Sequence, residues 1–193
     1  MIRVATVKDL PAMLEIYAPY VLNTTNSFEY TAPTLEAFTQ RFLSYTEMFP
    51  WLVWEENGRV LGYAYGSLPF SRAGYRWCCE VSIYVAPAAH GRGIGRKLYR
   101  ALETLLWKLG YRVIYAIVTS ENKGSLAFHQ KAGYRFVAEL PGCGYKFGRN
   151  LSITWLEKRS ESVELPTAPP SSWSAFVNND RNSHDILAIL SLS

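Results

Sequence analysis

Cysteine is scarce in this sequence: Cys78, Cys79 and Cys143 are all there is in 193 residues. Three cannot all pair, and sequence neighbours such as Cys78 and Cys79 rarely do, so a disulfide framework is excluded and a reducing compartment is expected. No apolar run reaches the length of about 18 residues that a membrane span requires, and the N-terminus lacks a basic-then-apolar signal pattern. Membrane spanning and secretion are therefore not indicated, and a cytoplasmic location is expected. Lysine and arginine form no run, although the net charge is +4 and the pI is near 8.9. Scattered basic residues suit a small anionic ligand and offer no stripe for nucleic acid. No internal repeat of solenoid length is visible, and no metal is expected.

What is present is an ordinary globular composition, 49% hydrophobic and 15% aromatic, enough for one sizeable core with an appendage. The most informative stretch runs from Val81-Ser82-Ile83-Tyr84-Val85 through a short Pro-containing turn to His90-Gly91-Arg92-Gly93-Ile94-Gly95-Arg96. A strand feeding a glycine-rich loop that opens into a helix is how main-chain N–H groups come to cradle a phosphate. A dinucleotide fingerprint would need a third glycine at position 96, and a P-loop would need Gly-Lys-Ser/Thr. Arg96-Lys97-Leu98 satisfies neither.

The helix itself is legible. Ile94, Leu98, Ala101, Leu102, Leu105, Leu106 and Leu109 recur at helical spacing, polar residues fall between them, and Gly110 supplies a left-handed C-cap. Its positive dipole end and the side chains of Arg92 and Arg96 favour the same sign of ligand.

Along the rest of the chain the elements alternate. A first strand at residues 2–4 precedes a helix capped by Asp9, in which Leu10, Met13, Leu14 and Tyr17 share a face; a second helix spans residues 35–45. Residues 51–55 and 60–67 form a hairpin around Glu56-Asn57-Gly58. Strands follow at 77–85 and 111–118, then a helix beginning at Ser120 or Asn122 and ending at Gly133, then strands at 134–138 and 151–156. The order predicts an α/β fold built on a mixed sheet. From residue 160 to 193, Pro166, Pro169, Pro170 and many Ser and Asn residues predict a poorly ordered tail, in which residues 186–190 are able to form a short docking turn.

The loop resembles the pyrophosphate loop of the GCN5-related N-acetyltransferases (GNAT), with a donor three residues before Gly93 and Gly95 two after it. The donor is His90, where that family usually has Arg or Gln. Residues 23–30, Glu80-Val81-Ser82-Ile83-Tyr84-Val85, His129 with Gly133-Tyr134, and residues 144–148 look like the phosphinothricin acetyltransferase branch. The likeness extends over roughly residues 1–157. It implies a GNAT domain at 1–159 with a mostly antiparallel mixed sheet, acetyl-CoA as acetyl donor, a homodimer, and an amino-acid acceptor such as phosphinothricin, methionine sulfone or methionine sulfoximine.

Amine acetylation requires a neutral attacking nitrogen, so something must take a proton from the ammonium. Glu80, flanked by Cys78, Cys79 and Val81, is in an apolar setting that raises a carboxylate pKa towards a useful range. The resemblance makes it the general base, and places His129 near the cofactor sulfur. It also implies that Asn122, otherwise a plain N-cap, and Ser125 meet the cofactor arm; that main-chain groups of Ile83, Tyr84 and Val85 run beside it; and that His90 and Gly91 to Arg96 hold the diphosphate. Arg72 and Tyr75 are implied to grip the substrate, Thr25, Phe28 and Tyr30 to wall its pocket, and Lys146 to add charge or lie on the surface. Phe70 stands where herbicide-detoxifying members carry lysine, which favours a less acidic or more apolar acceptor. Direct attack is expected, since neither Cys78 nor Cys79 has a histidine near it in sequence. The other readings are a peptide or ribosomal-protein N-terminus as acceptor, and a non-catalytic module that senses coenzyme A or binds nucleic acid.

Overall fold

A seven-stranded sheet in the order β1-β2-β3-β4-β5-β7-β6 carries the molecule. Its strands are β1 (Ile2–Val4), β2 (Trp51–Glu56), β3 (Arg59–Ser67), β4 (Cys78–Val85), β5 (Val113–Thr119), β6 (Arg135–Lys146) and β7 (Arg149–Arg159). The helices are α1 (Leu10–Asn23), α2 (Leu35–Thr46), α3 (Ile94–Leu109), α4 (Lys123–Lys131), α5 (Trp173–Val177) and α6 (Asp180–Ser191). This computed structural model describes residues 1–162 and 167–191; the rest of the expected tail lies outside the described residues.

All neighbouring strands pair antiparallel except β4 and β5, which are parallel. The β2–β3 hairpin closes where Asn57 (φ 51°) and Gly58 (φ 73°) both adopt the left-handed conformation, which the twist of a two-residue hairpin demands. The chain crosses from β4 to β5 through α3, whose Leu98, Leu102, Leu105 and Leu106 are fully buried on one face of the sheet. Burial of four leucines stabilises that packing by roughly 6–12 kcal/mol, so α3 holds its N-terminus rigidly. The other face is covered by α1 and α2, with Trp51 stacked on Tyr65 at a centroid distance of 4.0 Å.

Three expectations change. Asp9 stands before α1 but gives it no side-chain cap bond, its carboxylate accepting instead from Arg3 and from the Thr6 amide and hydroxyl. The described part of the stretch expected to be poorly ordered is mostly helical: Ser172 caps α5 through the Ala175 amide at 3.2 Å, and Trp173, Ile186 and Ile189 are buried in the same core as α3. Lys108 on α3 pairs with Asp185 on α6 at 2.6 Å. The docking expected at residues 186–190 is present as part of the longer α6, while Trp173 and the extent of the helices were not expected. The terminal hairpin is also longer than expected. Pro141-Gly142 reads as a turn, but β6 is an edge strand, where a proline costs no ladder bond, and the strand continues past it with register irregularities.

Candidate active site

Strands β4 and β5 pair only through Cys78–Glu80 against Val113–Tyr115. Beyond Glu80 they diverge, each still held on its far side, β4 by β3 and β5 by β7. Ala86 donates its N–H to Leu61 O at 2.9 Å, so by antiparallel alternation the main-chain groups of Tyr84 turn towards β3 while those of Val81, Ile83 and Val85 face the gap. Main-chain groups facing a gap need partners. The expected contribution of Ile83 and Val85 fits this geometry, and that of the Tyr84 amide does not. The Tyr84 ring lies on the α1 face, edge-on to Tyr17 at 4.8 Å.

The gap forms a cleft with about 490 Å3 of atom-free space, part of it open to solvent. Tyr20, Asn26, Asn122, Ser125 and His129 wall it. Asn122 caps α4, its Oδ1 accepting from the Ser125 amide at 3.0 Å, and its Nδ2 donates to Asn26 Oδ1 at 2.9 Å. Its side chain is thus already engaged as a cap.

Glu80 stands at the vertex where the strands part. It has no hydrogen-bond or ion-pair partner among the described residues, and burial pushes its carboxyl up to about 7. A carboxylate that titrates near neutrality accepts a proton there with least waste of driving force.

His129 is 3% exposed. Its Nδ1 lies 2.8 Å from Ser125 O, a pure acceptor, so Nδ1 carries the proton and Nε2 accepts from Tyr99 Oη at 2.7 Å. Burial lowers its pKa, which keeps the ring neutral. Both ring nitrogens are therefore occupied. Ser125 Oγ, 3.3 Å from Nδ1, is the nearby hydroxyl on the cleft wall.

In the loop between β4 and α3, Gly91 and Gly93 have φ of 75° and 76°, and a Cβ on either would meet nothing within 4 Å. Gly93 is the N-cap of α3 and gives no side-chain cap bond. The amides of Ile94, Gly95 and Arg96 are consequently first-turn donors without intrahelical acceptors. An open cradle of free amides at the positive end of a 16-residue helix fits a diphosphate. The Ile94 side chain is core, at 2% exposure. The Arg96 side chain makes no hydrogen bond or ion pair among the described residues, whereas Arg92 turns away to grip both oxygens of Glu56 at 2.7 and 2.9 Å. His90 anchors the end of β4, its Nε2 lying 2.9 Å from Val85 O and 2.8 Å from Tyr20 Oη.

The expected acceptor residues divide. Lys146 is a correction: at 1% exposure, its ammonium donates to Val21 O, Thr24 O and Ser27 O at 2.6–2.9 Å, stapling the end of α1 to β6. It presents no charge to a ligand. Thr25 spends its hydroxyl on Glu121 at 2.6 Å, and Tyr30 spends its own on Tyr145 O at 2.6 Å. Phe28 packs so closely over Gly144 that no Cβ fits there. The Arg72 side chain is exposed with no hydrogen bond or ion pair among the described residues, and Tyr75 sits against Phe70 at 4.8 Å. Tyr20, Asn26 and Tyr99 were not foreseen. Tyr99 had a signal, since it precedes Glu103 by four residues on the flank of the apolar face of α3.

A family model described as an acetyltransferase (GNAT) domain matches residues 2–155. The chain belongs to the GNAT acetyltransferases. It is 35% identical over 168 residues to an L-methionine sulfoximine/L-methionine sulfone acetyltransferase of Salmonella typhimurium, a match covering 86% of this chain and 98% of that protein. It is also 35% identical to a phosphinothricin N-acetyltransferase of Alcaligenes faecalis, covering 81% of each. A Sinorhizobium meliloti phosphinothricin acetyltransferase crystallised with acetyl-CoA superposes with a TM-score of 0.83 at 31% identity, covering 88% of this chain and 94% of that one.

Proposed function

We propose that this protein transfers the acetyl group of acetyl-CoA to the α-amino group of a small amino acid, with Glu80 as general base. The observation that carries the reading is an unpartnered carboxylate, held near neutrality by burial, at the vertex of the gap that the family's donor arm must enter. The amides of residues 91–96 hold the diphosphate, and the main-chain groups of Ile83 and the N–H of Val85 run beside the arm. Acetyl-CoA, when bound, supplies an activated acetyl group as a thioester.

Glu80 accepts a proton from the substrate ammonium, directly or through a water, leaving a nucleophilic amine. The Val85 amide faces the gap, where a developing oxyanion needs a donor. His129, fixed in one tautomer by Ser125 O and Tyr99, orders the wall, and Ser125 Oγ offers a hydrogen bond to a departing thiolate. Arg72 is free to take the substrate carboxylate in a bidentate pose.

Residues 1–159 form the catalytic unit in this reading. Three free thiols suit a reducing cytoplasmic setting. A homodimer is supported by the apolar edge of β6, where Phe136, Val137 and Tyr145 are exposed. The test is incubation with acetyl-CoA and phosphinothricin, methionine sulfone, methionine sulfoximine or a basic peptide, following thiol release. Acetylation of the peptide alone would overturn the reading.

A further inference from the structure

The two strands that open the cleft pair with each other only up to Glu80 and Tyr115. Past that point β3 and β7 support them from their outer sides, which leaves the width of the gap to be fixed by something else. The end of α1 reaches both strands.

On the β4 side, Tyr20 Oη donates to Val85 O at 2.6 Å, and His90 Nε2 lies 2.8 Å from that hydroxyl and 2.9 Å from the same carbonyl. A carbonyl only accepts and the single phenolic proton goes to it, so Nε2 carries a proton and donates within the triangle. The last carbonyl of β4 is thereby tied to α1 and to the residue that opens the glycine loop. The Tyr20 ring also packs edge-on against Tyr84 at 5.3 Å, a contact that does not involve the hydroxyl.

Five residues further along the chain is the anchor to β5. Thr119, the last residue of that strand, donates its hydroxyl to Thr25 O in a buried hydrogen bond. Thr25 Oγ1 donates in turn to Glu121 at 2.6 Å, and Asn26 Oδ1 accepts from Asn122 at 2.9 Å. Between the two anchors, Thr24 Oγ1 donates to Tyr20 O at 2.6 Å and accepts from the Asn26 amide at 3.1 Å, so the segment is braced within itself. Tyr20 and Asn26 line the cleft together with residues of both strands, which places the segment across the gap.

We propose, resting on the acetyltransferase reading above, that residues 20–25 form a crossbar that sets the separation of β4 and β5, and that Tyr20 and Thr119, its hydroxyl anchors on the two strands, are positioning residues for the donor coenzyme. A bar fastened to one strand alone holds no distance, so each anchor acts only while the other is made. A gap of fixed width presents the main chain of Ile83 and the N–H of Val85 to the arm without an ordering step at binding.

Tyr20→Phe and Thr119→Val each delete one anchoring hydroxyl and keep the shape of the side chain, and Tyr20→Phe keeps the ring contact with Tyr84. Coenzyme A binding is measured by calorimetry for wild type, both single variants and the double variant, with steady-state kinetics on acetyl-CoA and methionine sulfone. Each single variant is expected to weaken coenzyme A binding about five- to tenfold and to raise the KM for acetyl-CoA in step, with kcat and the acceptor KM within about twofold of wild type. The double variant should bind within about twofold of the weaker single variant, because the second hydroxyl has nothing left to hold. Losses that multiply in the double variant, or single variants that bind as wild type does, would overturn the crossbar and leave the acetyltransferase reading standing. If wild type binds no coenzyme A, that reading fails by itself, and amide hydrogen exchange decides the crossbar: faster exchange of the Ala86 and His90 amides at the end of β4 in Thr119→Val supports it, and unchanged exchange there overturns it.

Discussion

Replacing Glu80 with glutamine should separate stability from activity, in opposite directions. The wild-type carboxyl titrates at about 7 in the folded protein against an ordinary value of 4.5, with burial as the cause. A folded-state pKa raised in this way means that the native protein holds the proton more tightly than the unfolded chain. The resulting stability is fully present below about pH 4.5 and is lost as pH rises through about 7. The interval corresponds to roughly 3 kcal/mol as an upper value, and partial exposure of the side chain brings the expectation to about 1–3 kcal/mol. Glutamine has the same shape and never ionises. Urea unfolding should therefore show Glu80→Gln matching wild type at about pH 4 and exceeding it by about 1–3 kcal/mol at about pH 8, while acetyl transfer falls on the order of 100-fold or more. Other titrating groups, such as Asp9, whose carboxyl is held low by Arg3, are common to both proteins and cancel in the difference. A variant no more stable than wild type at pH 8 would refute the claim that Glu80 is a desolvated carboxylate.

The same titration predicts that kcat/KM of the wild type rises with pH through about 7, because Glu80 must be ionised to accept a proton; a flat pH–rate profile between pH 6 and 8 would contradict it. Lys146→Ala strands three carbonyls and should cost about 3 kcal/mol in thermal or urea unfolding, with kcat/KM little changed per folded molecule. Gly93→Ala should cost about 1 kcal/mol for its positive φ and weaken coenzyme A binding about tenfold by calorimetry; Gly58→Ala, equally strained but in the distant hairpin, should leave that affinity intact. Tyr99→Phe removes the donor to His129 Nε2, so nitrogen NMR should show a changed tautomer balance at that ring.

The elements with strong local signals were legible in the sequence. Alternation, Asn57-Gly58 and the apolar face of α3 have local causes, and all three appear in the structure. The glycine cradle was visible because backbone conformation at Gly91 and Gly93 is a property of those residues themselves. Lys146 was misread for the opposite reason. Its partners are carbonyls 119–125 residues away in sequence, a relation that no local pattern encodes. The cluster of Phe70, Tyr115 and Trp155 has the same character, since these rings come together only when β5 and β7 pair beside β4. The tail misled through composition, because two buried isoleucines and one tryptophan decide its docking, while prolines and serines set its average.

A crystal structure grown with coenzyme A tests the central claim most directly. The account predicts the diphosphate on the main-chain amides of residues 91–96, with the arm filling the gap between β4 and β5 and its sulfur end near Glu80. Coenzyme bound elsewhere on the molecule, with that turn bare, would contradict it.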